Sequence, residues 1–343
     1  MTGASTEELA QAAAILASGG LVAFPTETVY GLGADAENPA AVARIYAAKG
    51  RPSDHPVIVH VAPGADLAYW SGEIPAEAHQ LAEAFWPGPL TLILKRAARI
   101  PAAVSGGQDT VGLRCPAHPV AIALLSLFKG GKGGVAAPSA NKFGHVSPTT
   151  AQHVREEFGD EGEGGPLGAV LDGGQSQVGI ESTIVDLSRL ATHGPVLLRP
   201  GHISAEQIAA VIGRLPAAPD AAAPRVSGAL DSHYAPQTPV AMLDGEQLAG
   251  ALNQLLNAGR RVALIHYSDA MPPACASVQL TQAPDLYAHA LYASLRTMDH
   301  VNADLILVET PPADAAWAGV NDRLRRAAFG SVSILERFLQ DSN

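Results

Sequence analysis

The feature that most constrains this chain is a regular alternation of short apolar segments with longer amphipathic ones. The apolar segments are too short for buried helices, and they stop at Pro, Gly or polar residues, which predicts buried strands. Seven such strands are predicted in the first part of the chain, at 21–24, 56–61, 90–94, 135–137, 169–171, 183–186 and 196–199. The alternation predicts an α/β fold. Its sheet is expected to be mixed, because the connections vary widely in length.

Two helices can be placed near the N-terminus from their end signals. Residues 5–19 have Ala and Leu at helical spacing, with Thr6 as the candidate cap and a Gly-Gly pair at the end. Residues 38–49 open with Asn38-Pro39, a cap followed by proline at the first helical position. Both helices are expected to pack on the sheet.

A change in composition divides the chain after residue 214. The stretch 215–227 is rich in proline and alanine and predicts an extended linker. Behind it the strand–helix rhythm resumes, with strands predicted at 240–243, 261–267 and 305–308, and helices at 246–257, 285–297 and from Asn321 onward. We therefore expect a domain at 1–214, a linker at 215–237 and a small open-sheet α/β domain at 238–343.

Composition excludes several classes of protein. Apolar residues make up 47% of the 343 positions and charged residues 16%, which is enough apolar material for a packed core. No uninterrupted apolar run is long enough to cross a bilayer, and the first sixteen residues lack the basic start of a signal peptide. Cys115 and Cys275 are too few for a disulfide or metal framework. We expect a cytoplasmic protein without a membrane partner.

The net charge of −11 argues against a protein that coats nucleic acid through its overall field. Any cations that gather in one place would therefore stand out against this acidic background. An RNA-related role has to be inferred from individual residues.

Two familiar nucleotide-binding patterns occur in the wrong sequence context, and other catalytic or metal motifs are absent. Residues 31–36 match the dinucleotide-binding pattern G-x-G-x-x-A, but the next helix starts late, at Pro39, and the acidic Asp54 lies in a loop. Gly131-Lys132 is followed by glycine, so a phosphate loop would lack its hydroxyl for Mg²⁺. No nucleophile elbow or Cys-x-x-Cys pair occurs. His55 with His60, and Cys115 with His118, each lack the second pair of ligands that a zinc site needs.

Polar residues gather where the predicted strands end. Residues 25–32 place two hydroxyls, a carboxylate and a phenol after the first strand, and Lys49 and Arg51 lie two apart at the end of a helix. Because an open α/β sheet binds ligands at its strand ends, these groups predict a ligand site. A structural role as turn and helix-end residues stays open for each of them taken singly, as does a core role for His60.

Later segments repeat this pattern with cations, hydroxyls and amides. Arg114 and Arg199 lie at strand ends, Ser139 and Asn141 follow a third strand, and Ser182 opens a fourth. Four cations at such positions in an acidic protein favour an anionic ligand. Without an obvious nucleophile, the set suits a reaction catalysed by positioning and charge stabilisation, such as nucleotidyl or phosphoryl transfer.

These segments, in this order, resemble the YrdC-like family, and specifically its two-domain members, the L-threonylcarbamoyladenylate synthases. The resemblance covers residues 9–214, and SGALDSHYAP (227–236) with the small domain behind it resembles the family's second domain. The matching segments are PTETVYGLG (25–33), KGRP through His60 (49–60), FWPGPLT (85–91), GLRCPAHP (112–119), APSAN through Pro148 (137–148), GIESTIVD (179–186) and LLRPG (197–201). The resemblance implies a twisted mixed sheet with helices, followed by a smaller Rossmann-like domain.

The resemblance also implies a nucleotidyltransferase. L-Threonine, bicarbonate or CO₂, and ATP carrying Mg²⁺ would give threonylcarbamoyl-AMP and pyrophosphate. The product would pass to a threonylcarbamoyl transferase machinery that modifies adenosine 37 of tRNAs reading ANN codons. No metal site built from protein side chains and no stable tRNA complex are expected.

Site residues follow by motif position. The resemblance assigns the L-threonine contacts to Thr28, His60, Arg114, Ala137 and Ser182. It assigns the ATP contacts to Lys49, Arg51, His55, Thr110, Ser139, Asn141, Ser147, Arg199 and Tyr234, with Lys49 and Arg51 as the catalytic pair. Tyr234 would close over the nucleotide. His55 departs from the asparagine of the family pattern.

Two alternatives belong to other classes. A non-catalytic RNA-binding protein is disfavoured by the charge and by the lack of interleaved basic and aromatic residues. The related module of the carbamoyltransferases of hydrogenase maturation is accompanied there by cysteine-rich zinc fingers, which two cysteines cannot build.

Overall fold

The chain is described from a computed structural model that covers residues 3–160, 165–228, 233–269, 271–330 and 332–340. Its contacts divide it into two compact units. Unit 1 consists of Met1–Phe143 and Ser147–Ala229, and unit 2 consists of Gly144–Val146 and Leu230–Asn343. Up to Gly228, the described part of the proline-rich segment therefore groups with unit 1.

Strands and helices alternate along unit 1. The strands are β1 (Val22–Phe24), β2 (Gly31–Asp35), β3 (Ile58–Val61), β4 (Ser71–Glu73), β5 (Leu90–Arg96), β6 (Thr110–Arg114), β7 (Gly134–Ala136), β8 (Ala169–Val170), β9 (Thr183–Asp186) and β10 (Val196–Arg199). The helices are α1 (Thr6–Ala17), α2 (Pro39–Lys49), α3 (Leu67–Trp70), α4 (Ala76–Phe85), α5 (Pro119–Leu127), α6 (Ala151–Phe158), α7 (Leu190–His193) and α8 (Ala205–Ile212). Short 3₁₀ turns occupy Ala102–Ser105 and Phe128–Gly131.

The described strands of unit 1 form one sheet in the order β10-β9-β5-β6-β3-β7-β2-β1-β8, with β4 paired to β5. Three pairs are parallel, namely β3 with β6, β5 with β9 and β1 with β8. The other pairs are antiparallel. The predicted mixed sheet is confirmed. Residues 31–36, the apparent dinucleotide motif, lie largely inside strand β2 and not at a strand-to-helix turn.

Helix ends follow local chemistry. Helix α2 is capped as predicted, because Asn38 accepts hydrogen bonds from the amides of Ala40 and Ala41. The prediction of Thr6 as the cap of α1 is wrong. Ser5 is the cap, and Glu8 closes a reciprocal capping box with it, an arrangement that satisfies two amides at once.

Helices cover both faces of the sheet. One core contains α2, α4 and α8 side chains such as Ile45, Leu81 and Ile208, and the other contains α1 and α5 side chains such as Leu16 and Leu124. This two-sided burial explains why apolar residues dominate strands such as β1, β3 and β5. Among the described helices, none combines the length and apolarity that a bilayer crossing needs.

Unit 2 is a smaller open sheet. Its strands are β11 (Val240–Leu243), β12 (Val262–His266), β13 (Ala276–Gln279) and β14 (Leu305–Glu309), and its helices are α9 (Gly245–Asn257), α10 (Pro284–Asp299), α11 (Ala318–Ala327) and α12 (Val332–Gln340). The order is β11-β14-β12-β13 and every pair is parallel, as a Rossmann-like domain requires. The prediction of a single final helix from Asn321 onward is wrong. Two helices occupy this stretch, because the chain turns at Ala328–Gly330.

Unit 2 also contains three residues that the sequence places inside the first domain. Gly144 O accepts the amide of Ala235 at 2.9 Å, and Arg296 donates to Val146 O. These bonds hold the segment 144–146 against the start of unit 2 and helix α10. The segment lies between Asn141 and Ser147 in the sequence, two of the residues assigned to ATP.

Candidate active site

Two polar side chains meet where neighbouring parallel strands of unit 1 end. The register of β3 and β6 places His60 directly opposite Arg114, so both side chains leave the same face of the sheet. Only 3% of His60 and 4% of Arg114 is exposed. The structure therefore brings together two residues that the resemblance assigns to L-threonine.

The Arg114 guanidinium is held by two acceptors. Its Nη2 donates to Glu27 Oε1 at 2.7 Å, and its Nε donates to Gly88 O at 3.3 Å. Glu27 is buried and also accepts the amide of Ala117 at 2.9 Å. Gly88 comes from the FWPGPLT segment, so three of the sequence motifs converge on this arginine.

His60 is a neutral imidazole. Burial, and then the positive charge of Arg114, lower the pKa of His60 to about 3, because both disfavour the charged ring. Within the described part of the chain its Nδ1 has no hydrogen-bond partner. A neutral ring with an open nitrogen can exchange one hydrogen bond with a small polar ligand.

The loop between β1 and β2 positions Thr28. Thr26 Oγ1 donates to Val29 O at 2.6 Å and lies 2.8 Å from Thr28 Oγ1. Since the proton of Thr26 is already used, Thr28 donates to Thr26, and its own oxygen can still accept a bond. Beside this loop, the amide of Ala137 donates to Ile58 O at 2.9 Å, so a backbone contact from Ala137 to a ligand would use its carbonyl oxygen.

Lys49 lies at the last position of α2 and is 3% exposed. Its Nζ donates to Ser139 O at 2.6 Å and to Asn141 O at 2.5 Å. Burial, and then the neighbouring charge of Arg51, hold the pKa of Lys49 well below its usual range. Lys49 therefore ties helix α2 to the half-buried Ser139 and the buried Asn141, both predicted ATP residues.

Arg199 ends strand β10 and packs on Ser182. Its Nε donates to Ser182 O at 3.0 Å and its Nη2 to Ser182 Oγ at 3.1 Å, while Ser182 Oγ lies 2.8 Å from Thr91 Oγ1. Gly201 permits this approach, because a Cβ there would lie 2.5 Å from the amide nitrogen of Thr183. The structure places Ser182 against an ATP-side cation. Its assignment to L-threonine stays a prediction.

Three more predicted ATP residues are buried in unit 1. Ser147 is fully buried and donates to Glu181 Oε1 at 2.5 Å. Thr110 begins strand β6 and is buried. Arg51 is buried and donates through Nη2 to Pro56 O at 2.7 Å.

His55 is half-buried at the edge of this group. Its ring packs edge-on against Phe143 at 5.5 Å and lies 3.9 Å from the Asp54 carboxylate. Burial, and then the charge of Arg51, lower the pKa of His55, so this ring too favours its neutral form.

The proline-rich segment lies over these cations. Ser227 O accepts Arg199 Nη1 at 2.9 Å, and Arg51 Nη1 lies 3.4 Å from Ser227 Oγ. Gln108 and Arg225 exchange two hydrogen bonds at 2.8 and 3.0 Å. A cavity of only about 10 Å³ remains between residues 225–227 and the sheet beside Thr110.

Tyr234 belongs to unit 2 and is 1% exposed, with a φ of 60°. Its ring packs against Tyr292 at 5.7 Å, and the Arg323 guanidinium lies 5.5 Å from its centre. Tyr234 is thus part of the interior of unit 2 in this structure. Its closure over a nucleotide stays a prediction.

Sequence analysis assigned no individual role to several residues that hold the predicted site residues in place. Glu27, Gly88, Thr91 and Ser227 all contact predicted site residues. All four lie inside segments that match the family, and that position was the available signal. Among the described residues, no group of three or more histidine, cysteine or acidic side chains could hold a metal ion.

Two family models match the chain. Residues 14–201 match the Sua5/YciO/YrdC model, described as telomere recombination, and residues 203–329 match the model of the threonylcarbamoyl-AMP synthase C-terminal domain.

Curated relatives match nearly the whole chain. The threonylcarbamoyl-AMP synthase of Pyrococcus abyssi is 39% identical over 92% of this chain and 93% of its own length. That of Bacillus subtilis is 39% identical over 95% and 94%. The crystal structure of P. abyssi Sua5 complexed with L-threonine superposes with a TM-score of 0.84 at 38% identity, covering 93% of this chain and 94% of that one.

Proposed function

The chain belongs to the family of threonylcarbamoyl-AMP synthases, and on that premise we propose that it joins L-threonine, bicarbonate or CO₂, and ATP into threonylcarbamoyl-AMP with release of pyrophosphate. The observation that carries the proposal is the pairing of neutral His60 with Arg114 on adjacent strands. In this proposal the pair forms the end of the site that binds the amino acid, and Lys49, Arg51 and Arg199 form the end that binds the phosphates. An amino acid and a polyphosphate are ligands that such a site can hold together.

On the L-threonine side, Arg114 would bind the substrate carboxylate, because Nη1 has no protein partner among the described contacts. His60 Nδ1 and Thr28 Oγ1 would each make one hydrogen bond to the amino acid. A neutral His60 also avoids repelling the substrate ammonium group. Ala137 O and Ser182 would complete these contacts.

On the ATP side, charge stabilisation is the main contribution of the protein. The threonine ammonium group would lose a proton to water, and its amine would add to CO₂ with loss of a second proton to give a carbamate. A carbamate oxygen would then form a bond to the α-phosphorus as the bond to the departing pyrophosphate breaks. Lys49, Arg51 and Arg199 would stabilise the developing charge on the phosphate oxygens. An anionic phosphate beside Lys49 would raise its lowered pKa and keep it protonated.

The remaining ATP contacts follow from position. His55, Thr110, Ser139, Asn141 and Ser147 would hold base, ribose and phosphates. Their side chains are polar, and the carbonyl oxygens of Ser139 and Asn141 accept hydrogen bonds from Lys49 Nζ. Tyr234 would close over the nucleotide. Residues 225–228 would first have to leave the sheet, because the cavity beneath them is too small for a nucleotide.

Mg²⁺ fits this site only as a companion of ATP. The carboxylates of Glu27 and Glu181 already accept hydrogen bonds from Arg114 and Ser147. Oxygens of the ATP phosphates would therefore supply the ligands of Mg²⁺. When bound there, the ion would neutralise charge on the leaving pyrophosphate.

The product would be consumed by a threonylcarbamoyl transferase machinery acting on adenosine 37 of tRNAs that read ANN codons. We propose that this takes place in the cytoplasm. The net charge of −11 favours delivery of the small product over a stable complex with tRNA.

Pyrophosphate release from ATP, with each of L-threonine and bicarbonate omitted in turn, tests the proposal. Release that requires both, and that falls sharply in Arg51→Ala and Arg114→Ala, would support it. Arg44→Ala is the matched control. Arg44 also lies on α2, but it donates to Gly19 O, which belongs to none of the predicted site segments. Release indifferent to L-threonine would contradict the proposal, and tRNA binding without any release would support the RNA-binding alternative.

A further inference from the structure

Glu27 is a buried carboxylate that the proposed reaction does not use. Only 6% of the residue is exposed, and burying a charge of this kind is costly unless it is paired. Its position next to Thr28 places it within the site. The contacts it makes indicate what it is there for.

Both ends of Glu27 are fixed. Oε1 accepts Arg114 Nη2 at 2.7 Å and Oε2 accepts the amide of Ala117 at 2.9 Å. The backbone carbonyl of Glu27 accepts the amide of Val178 at 2.7 Å. The carboxylate of Glu27 therefore stays in place, and it restricts rotation of the Arg114 guanidinium.

The two acceptors of Arg114 lie on one edge of the guanidinium. Nε and Nη2 form the side edge of the fork, and they are the atoms bonded to Gly88 O and Glu27. The end edge, with Nη1, is left for a ligand. A carboxylate bound end-on could use two parallel hydrogen bonds without displacing Glu27.

We propose that Glu27 is a positioning residue that holds Arg114 with its end edge towards the L-threonine carboxylate. This inference rests on the proposed function and adds the group that orients its carboxylate-binding arginine. Glu27 sets the affinity for L-threonine and has no part in the affinity for ATP.

The experiment is steady-state pyrophosphate release by the full chain, with L-threonine and ATP varied separately. Glu27→Gln keeps the shape of the side chain but removes the charge that holds Nη2. We expect the KM for L-threonine to rise about 10- to 100-fold, the range for loss of a charged hydrogen bond. The KM for ATP should stay within about twofold of the wild-type value, the scatter expected of a site that is not touched.

The matched control is Asp35→Asn. Asp35 is also 6% exposed and also pairs with a cation, Lys129, at 2.8 Å, but it lies at the other end of strand β2. If burial of a charge pair were all that mattered, both variants would behave alike. We expect Asp35→Asn to change stability and to leave both KM values unchanged.

Glu27→Asp provides a second variant if Glu27→Gln does not fold. It keeps the charge, but the shorter side chain cannot reach both Arg114 and the amide of Ala117, so the KM for L-threonine should rise alone and by less. A wild-type KM for L-threonine in Glu27→Asp, or equal changes in both KM values in either variant, would overturn the role of Glu27. Wild-type protein that releases no pyrophosphate would instead refute the proposed function itself.

Discussion

The two units treat the ends of their strands in opposite ways. In unit 1, the strand and helix ends carry buried cations such as Lys49, Arg114 and Arg199. In unit 2, the carboxyl end of the central strand β14 carries Glu309, which is 1% exposed. Its oxygens accept the amides of Tyr267 and Ser268 at 2.8 and 2.9 Å, as well as the Ser268 hydroxyl.

An open α/β sheet offers its strand ends as a binding site for anions, together with the amides of the helix that follows. Unit 1 keeps this position cationic, which suits an external phosphate. Unit 2 fills it with its own carboxylate at the start of helix α9, where an ideal Cβ on Gly245 would lie 2.8 Å from Glu309 Oε1. The strand ends of unit 1 thus present cations that suit an anionic ligand, whereas the strand end at Glu309 in unit 2 serves internal stability.

The largest expected effect is on unit 1. Lys49→Met keeps much of the apolar stem but removes the charge beside the phosphates and both bonds to the Ser139–Asn141 loop. We expect kcat for pyrophosphate release to fall about 10²- to 10³-fold, as for other lost transition-state donors. Stopped-time pyrophosphate assays at saturating substrates measure this.

Lys129→Met serves as its control, because Lys129 is paired with Asp35 and Glu37 away from the predicted site residues. Its kcat should match the wild type. If Lys49→Met retained the wild-type kcat, the cations at the strand and helix ends of unit 1 would not serve catalysis as we propose.

Glu309→Gln tests unit 2. An amide can accept with one end only, so at least one of the bonds from Tyr267, Ser268 and the Ser268 hydroxyl is lost. We expect the free energy of unfolding to fall by about 2 kcal/mol, the value of a hydrogen bond to a buried charge. Urea denaturation gives this number, and the KM for ATP measured beside it should not move. A weakened ATP affinity would show that the strand end at Glu309 also contributes to nucleotide binding.

The smallest expected effect is a difference in stability between alanine substitutions at two glycines of helix α9. Gly250 lies within α9 with nothing close to an added Cβ, so Gly250→Ala should raise the free energy of unfolding by about 0.5–1 kcal/mol. Gly245→Ala should lower it by about 1 kcal/mol, because the new methyl meets a carboxylate that its hydrogen bonds hold in place. Thermal unfolding of both variants compares the signs, and stabilisation by Gly245→Ala would mean that Glu309 is free to move.

Much of the fold followed from local pattern. Strands β9, β10 and β11 have the predicted bounds, and Asn38 caps α2 as expected. Strand β2 was missed because its glycine-rich sequence, Gly31–Asp35, lacks the β-branched residues that mark a strand. Competition between neighbouring hydroxyls decided the cap of α1, where Ser5 rather than Thr6 has a glutamate three residues ahead.

The candidate site divides in the same way. Motif position indicated Arg114 and His60 separately, yet only the parallel register of β3 and β6 shows that they face each other. Motif position also marked the segment of Glu27, but its pairing with Arg114, 87 positions later in the chain, depends on the fold. The covering of the cations by Ser227 also depends on the path of a segment whose composition predicts only that it is extended.

The sequence by itself determined which chemical groups this protein has at its strand ends, because apolar runs, prolines and glycines decide locally where strands stop. It also determined that one part of the chain concentrates cations there. Only the tertiary structure decided which groups are paired. Strand order, register and packing bring distant residues together. These pairings distinguish Arg114 of unit 1, whose Nη1 has no partner among the described residues, from Glu309 of unit 2, whose two oxygens are already hydrogen-bonded.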